Sequence, residues 1–251
     1  MRARRRLAAV AVAVAASSVP GCAVFHRGPS PIELRATATG DSLAATRDSL
    51  AMTRRAIRAL DSLFIPLSFA TPDSFVVAFE TSRGRFDVMA RSNWAPVGVD
   101  RFYELVRRRY FDDVIVFRIV KGFVAQFGIS GDPAVSSAWT RRRIADDRTT
   151  QSNTRGRVSF ASAGANTRTV QMFINLADNA RLDSTAAGGY PPIAEVVVGM
   201  EVVDSLYAGY GGAPSNAQDA IQREGNAFLR RTYPKLDVIK SARVVAEWRR
   251  P

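Results

Sequence analysis

Phe117-Arg118-Ile119-Val120-Lys121-Gly122-Phe123-Val124-Ala125-Gln126-Phe127-Gly128 sets one arginine and one glutamine among apolar residues. Residues 114–120 and 123–127 both read as strands, being short runs dominated by Val, Ile and Phe. Successive side chains of a strand point to opposite faces. A guanidinium held in such a run needs a partner or a ligand, because burying an unpaired charge is costly. Gln126 is a reasonable partner for Arg118.

The pattern around this stretch stays β-rich. Residues 75–79 and 85–89 flank Thr81-Ser82-Arg83-Gly84, which reads as a hairpin turn. Further strand-like runs lie at 157–161, 172–176 and 193–198, and residues 236–248 close with another. Pro96 sits at a helix start, and Val99, Phe102, Val106 and Tyr110 form an apolar stripe behind it. Residues 201–207 read as a short helix, and 217–231 as a helix interrupted by Gly225. Many short strands with a helix near each end predict a mainly β fold, an antiparallel barrel capped by helices.

The N-terminal part has a different character. Met1 to Arg6 holds four arginines and no acid, residues 7–16 are all Leu, Ala and Val, and Ser17-Ser18-Val19-Pro20-Gly21-Cys22 follows. A basic segment, a short apolar run and a small-residue site describe a secretory signal over residues 1–21. Val19-Pro20-Gly21-Cys22 resembles a bacterial lipobox, which predicts lipidation of Cys22; cleavage near Ser18 by ordinary signal peptidase is the alternative. Cys22 is the only cysteine, and an unpaired thiol in an exported chain is odd unless it is acylated. The localisation expected is therefore periplasm or cell envelope, with a membrane anchor at Cys22. Residues 22–72 read as a linker. Within it, Leu43, Leu50, Ile57, Leu60 and Leu63 recur at near-helical spacing and predict an amphipathic helix over 41–63. The folded domain is expected over 73–248, with 209–248 as a C-terminal extension.

Composition narrows the functional classes. The chain has 251 residues, 47% hydrophobic and 23% charged, which excludes full-length disorder. No apolar run reaches the roughly 18 residues of a spanning helix. The formal charge is +12, but lysine occurs only at 121, 235 and 240, and the arginine triplets 107–109 and 141–143 are short and isolated. Basic residues interleaved with aromatics, the mark of a nucleic-acid binder, are missing, so no nucleic-acid partner is expected. His26 and Cys22 are the only His and Cys, and both precede the folded domain. Ser-His-Asp and Cys-His nucleophilic catalysis are thereby excluded from it, as are the commonest zinc sites. Asp112-Asp113 and Asp146-Asp147 read as turn formers or caps rather than catalytic dyads. An enzyme on this inventory needs no metal, no cofactor and no covalent nucleophile. Rotation about an Xaa-Pro bond meets that restriction. It breaks no bond, its barrier is lost amide resonance, and a fixed donor aimed at the prolyl nitrogen is stronger in the twisted state than in the planar one.

Three motifs in order resemble one family. Residues 117–128 are similar to the cyclophilin signature F-H-R-x-x-x-G-F-x-x-Q-x-G without its His, which is Phe117 here. Residues 158–164 and Gln171-Met172-Phe173-Ile174 are similar to its second signature, a small-residue strand followed by Q-F-F-I. Leu182-Asp183, residues 188–193 and residues 198–204 follow the third stretch. The resemblance runs from about Phe75 to Leu206, and implies a closed, eight-stranded antiparallel barrel with peptidyl-prolyl isomerase activity. It implies Arg118 as the catalytic arginine and Gln126 as the glutamine orienting it. It places Phe123, Val124, Phe173 and Leu182 in a proline pocket with Ala161 beside them. Ser162 would hold substrate through its backbone, Gln171 would border the adjoining pocket, and Tyr190 stands where many members have His. Arg181 occupies a position where some members carry Trp, and Ile193-Ala194 replaces a Phe-Gly pair. The substrates implied are proline-containing unfolded or flexible segments of exported proteins. Two other classes remain open: a non-catalytic proline-segment binding module or chaperone of the envelope, and a structural lipoprotein docking through 41–63.

Overall fold

A computed structural model of the chain describes residues 42–52, 55, 70–185 and 188–249. Residues 1–21, expected to be a signal, Cys22 and most of the stretch expected to be a linker lie outside the described residues. Of the helix expected over 41–63, residues 42–52 are helical, with Leu43 and Leu50 exposed.

The hairpin at the front of the domain forms as its pattern predicts. Strand β1 (Ser74–Thr81) pairs antiparallel with β2 (Arg85–Arg91), from Ser74 opposite Arg91 to Glu80 opposite Arg85. Thr81 N–H donates to the Gly84 carbonyl over 2.9 Å, and Gly84 adopts φ +130°, a region that side-chain-bearing residues avoid. Phe75, Val77 and Phe79 alternate inward, and Phe79 stacks on Phe86 at 5.0 Å.

Helix α1 (Pro96–Arg107) buries Val99, Phe102, Leu105 and Val106. Pro96 suits its first turn, where an N–H would have no helical partner. Its own N-cap, Ala95, has no side-chain acceptor. Asp147, fifty residues on, accepts from Val97 N–H at 3.0 Å and Gly98 N–H at 2.8 Å in its place. Arg168, 1% exposed, donates to both Asp146 and Asp147 at 3.0 Å. Asp112 pairs with Arg243 and Asp113 with Arg230. These acids cap and pair, as their placement in loops predicts.

The remaining strands are β3 (Val114–Ile115), β4 (Arg118–Val120), β5 (Val124–Phe127), β6 (Arg157–Phe160), β7 (Met172–Asn175), β8 (Pro192–Val198) and β9 (Val238–Trp248). They form one sheet of nine strands in the order β3-β9-β1-β2-β8-β6-β7-β5-β4. The closed eight-stranded barrel expected is therefore corrected to a curled nine-stranded half-barrel. The reason lies in residues 114–120, which read as one strand and are split. β3 pairs with β9 and β4 with β5, and the stretch between them pairs elsewhere: Val116 N–H donates to Asp237 O, and Ile119 N–H to Gly211 O. The two edges of the sheet are halves of one chain segment, joined by covalent bonds rather than by a ladder.

Besides α1, four α-helices lie beyond β5 and β8 among the described residues. Helix α2 (Pro133–Thr140) starts at an Asp132 cap that accepts from Ala134 N–H. Helix α3 (Met200–Asp204) follows Gly199, and α4 (Gln218–Glu224) and α5 (Asn226–Thr232) break at Gly225. A Cβ on Gly225 would lie 2.1 Å from the Gly131 carbonyl oxygen, so only glycine allows this approach. The pair α4–α5 docks through its own small core. Ile221 and Leu229 meet Ile115, Phe117 and Ile129 there. Phe117, standing where the family's His is usual, is fully enclosed by this contact.

Candidate active site

The sheet sorts its residues into two faces. Ile119, Ala125, Ile174, Val158 and Ala194 lie opposite one another across β4, β5, β7, β6 and β8, and all belong to the main core. The row beside it reads Arg118, Gln126, Phe173 and Ser159 across β4, β5, β7 and β6. Directly opposed residues share a face, so the second row faces away from the main core. The two-residue period of the strands thus delivers an arginine, an amide and an aromatic ring to one surface.

On that surface Arg118 Nη1 donates to Gln126 Oε1 at 3.0 Å, and Gln126 Nε2 donates to Gln171 Oε1 at 2.9 Å. Gln126 is 6% exposed, while Arg118 and Gln171 are half-buried. The Arg118 guanidinium also lies 5.6 Å from the centre of the Phe123 ring, and the Arg181 guanidinium lies 4.6 Å from it. Phe123 is thus a contact of two cations, each favoured over an aromatic ring. Arg118 Nε is enclosed and has no hydrogen-bond partner.

The apolar side is built from β5, β7 and the loop before β8. Phe173 is 5% exposed and meets Tyr190 edge-on at 5.7 Å. Tyr190 N–H donates to the Leu182 carbonyl, which ties those two positions together. Val124 is buried two residues from Gln126 on the same strand. Ala161 N–H donates to Gln171 O, and Ser162, one residue further, is half-buried outside this bonded cluster. Arg118, Gln126, Gln171 and Phe123 are brought together, as are Phe173, Tyr190 and Leu182.

A buried amide network, not anticipated from sequence, carries the 176–191 loop. Asn153, Ser159 and Asn175 are fully enclosed. Asn153 Nδ2 donates to Tyr190 O and to Asp183 Oδ1, each at 2.9 Å. Asn175 Nδ2 and Ser159 Oγ donate to Asn153 Oδ1, and Asn179 Nδ2 donates to Phe123 O and Asn175 Oδ1. The network holds Tyr190, Asp183 and the Phe123 backbone against the sheet. Burial raises the Asp183 pKa, but hydrogen bonds from Ser152 and from the side chain and backbone of Asn153 outweigh it and leave the carboxyl below its ordinary value. The sequence signal for this network is slight: Asn175 sits in an apolar strand, where an amide needs partners.

The sequence carries no signal that marks Gln218 as part of the site. That residue opens α4 and accepts from Gln171 Nε2 at 3.0 Å.

Residues 76–224 match the family described as "Cyclophilin type peptidyl-prolyl cis-trans isomerase/CLD". Peptidyl-prolyl cis-trans isomerase B of Escherichia coli K12 is 30% identical over 178 residues, covering 68% of this chain and all of that protein. Peptidyl-prolyl cis-trans isomerase A of Dickeya dadantii is 30% identical over 181 residues, covering 71% of this chain and 88% of that one. A Cryptosporidium parvum cyclophilin-type isomerase has a similar fold, with a TM-score of 0.50 at 18% identity, over 69% of this chain and 99% of that structure. With matching sequence over more than half its length and the same fold, the chain belongs to the cyclophilin-type peptidyl-prolyl cis-trans isomerase family.

Proposed function

We propose that this chain accelerates cis–trans isomerisation of Xaa-Pro bonds in unfolded or flexible segments of exported proteins. The observation that carries the reading is the Arg118 guanidinium, held by Gln126 on the face that also carries buried Phe173. Planar amides resist rotation by ~18–20 kcal/mol. In the twisted state the prolyl nitrogen regains its lone pair and accepts a hydrogen bond that the planar amide cannot. A guanidinium with one N–H fixed on Gln126 has others left to donate. Gln126 acts by orienting Arg118 and by touching the substrate. Phe173, Val124, Leu182 and Phe123, with Ala161, hold the pyrrolidine ring. Ser162 holds the substrate backbone, Gln171 borders the neighbouring residue, and Tyr190 backs Phe173. None of these steps calls on a metal or cofactor.

The deciding experiment follows cis–trans exchange of a short Xaa-Pro peptide by NMR with catalytic amounts of protein. Accelerated exchange supports the reading. Peptide binding without acceleration replaces it with that of a proline-segment binding module.

Location is the second part of the proposal: export, followed by lipidation at Cys22. Support comes from the sequence of residues 1–22, basic, then apolar, then Val19-Pro20-Gly21-Cys22. Buried acyl chains at ~0.8 kcal/mol per CH₂ anchor a protein stably once two or more are attached. The mature species expected begins at acylated Cys22 and partitions into detergent, and Cys22→Ser releases it or leaves it unprocessed. Mass spectrometry finding an N-terminus at Ser17 or Ser18 with a free thiol overturns the lipidation and leaves the isomerase reading intact.

A further inference from the structure

Three glutamine side chains stand in single file between Arg118 and the C-terminal helix pair. Arg118 donates to Gln126, Gln126 to Gln171, and Gln171 to Gln218. The direction of this file is not free. A guanidinium has only donors, so Gln126 must turn its oxygen toward it. That leaves the Gln126 NH₂ for Gln171, which must answer with oxygen. The Gln171 NH₂ then points at residue 218, and residue 218 must accept. One charge orients three amides, and the requirement also runs backwards. A donor at position 218 would demand the oxygen of Gln171, then that of Gln126, and would set the Gln126 NH₂ against the guanidinium. Gln126 is enclosed and cannot turn to water instead.

The helix that carries the far end of the file is anchored in the fold. Ile221, three residues after Gln218 on α4, is fully buried in the small core with Phe117. Phe117 is the residue next to Arg118, so α4 and the catalytic strand share a packing contact as well as the amide file. Gly225, against the Gly131 carbonyl, sets where the helix pair lies.

We propose that Gln218 is a positioning residue for Arg118: the C-terminal helix pair supplies the terminal acceptor that sets the direction of the amide file and so the orientation of the guanidinium. The proposal rests on the isomerase reading of Arg118. It makes the extension part of the working site, although Gln218 reaches Arg118 only through Gln171 and Gln126.

The experiment compares Gln218→Ala, Gln218→Glu and Gln218→Lys. Glu only accepts and preserves the direction; Lys only donates and reverses it. Exchange rates on a Xaa-Pro peptide give kcat and KM, and thermal melting gives stability. Gln218→Lys is expected to lose about tenfold or more in kcat with KM little changed, as misplacement of a catalytic group does. Gln218→Ala falls between, and Gln218→Glu rescues most of the loss. In a Gln171→Ala background the difference between Glu and Lys disappears, because the file is cut. Equal kcat for Glu and Lys overturns the proposal, since a purely structural side chain would follow melting temperature alone. A difference that survives Gln171→Ala also overturns it, as a through-space charge effect. The side-chain NH₂ resonance of Gln126 gives a reading independent of activity. It should move in Gln218→Lys and hold in Gln218→Glu; if it moves in neither, the file has no direction to lose. Absence of turnover in the unmutated protein would count against the isomerase reading, and the Gln126 resonance would still decide the file.

Discussion

Arg118 and Gln126 stand opposite one another across the β4–β5 ladder, with Nη1 of the first 3.0 Å from Oε1 of the second. The pairing fixes one end of the guanidinium by a cross-strand register, which a loop could not hold as closely. Arg118→Ala should lower turnover by a factor on the order of 10²–10³, the effect of losing one preorganised donor. Arg118→Lys should not restore it, because an ammonium group lacks the planar fork that bonds Gln126 and substrate together. Melting of both variants should stay near that of the parent. Unchanged exchange in Arg118→Ala would remove the residue from the mechanism.

Phe173 lies next to that pair in the same cross-strand row and is almost wholly buried. Truncation to Ala should cost about 3–5 kcal/mol of stability and weaken capture of proline peptides. Denaturant melts and a peptide titration measure the two effects. If neither moved, the ring could not be part of the packed wall against Tyr190.

Phe117 should not accept the family's usual residue. Phe117→His would place an imidazole in a pocket made of Ile115, Ile129, Ile221 and Leu229. An unpaired buried polar group costs about 1–3 kcal/mol. Leu229→Ala, on the other side of the same contact, should cost about 2–5 kcal/mol. Both should lower the melting temperature. A Phe117→His protein as stable as the parent would show that the helix pair is not held by this core.

Acid should loosen the 176–191 loop. The folded Asp183 pKa is depressed, so its carboxylate contributes stability at pH values above the unfolded pKa, about 3.9. That contribution is lost as pH falls through the lower folded value. Melting temperature followed from pH 6 to pH 2 should fall more steeply in the parent than in Asp183→Asn. Identical pH profiles would mean that the carboxylate does not hold the loop.

Much of this fold is legible because periodicity is a local property. Residues 75–79 and 85–89 alternate visibly, Gly84 marks their turn, and Gly225 marks the break between α4 and α5. Arg118 and Gln126 stand out because charged and amide groups interrupt apolar strands. What escaped the sequence is the choice of distant partners. Nothing in Ala95-Pro96 says that the helix cap is Asp147. Nothing in residues 114–120 says that their two ends pair with β9 and β5. Helix α2 does leave a local trace, the Asp132-Pro133 pair, which suits an N-cap followed by the first helical residue. Gln218 left none: its meaning comes from Gln171, 47 residues away, and only folding brings the two together.

The pairing of β1 with β9 governs the order of events during synthesis. β1 opens the domain and is among the first parts of it to be made, yet one of its two edges can be filled only by β9, from Ser74 opposite Trp248 to Thr81 opposite Ile239. Until β9 is available, the strand Phe75-Val76-Val77-Ala78-Phe79 presents an open, apolar edge, the kind that recruits other chains. Until residues 238–248 are made the domain is therefore incomplete, and a chain cut short before residue 238 would keep this edge open. An enzyme proposed to assist the folding of others thus depends on its own last strand to become safe from aggregation.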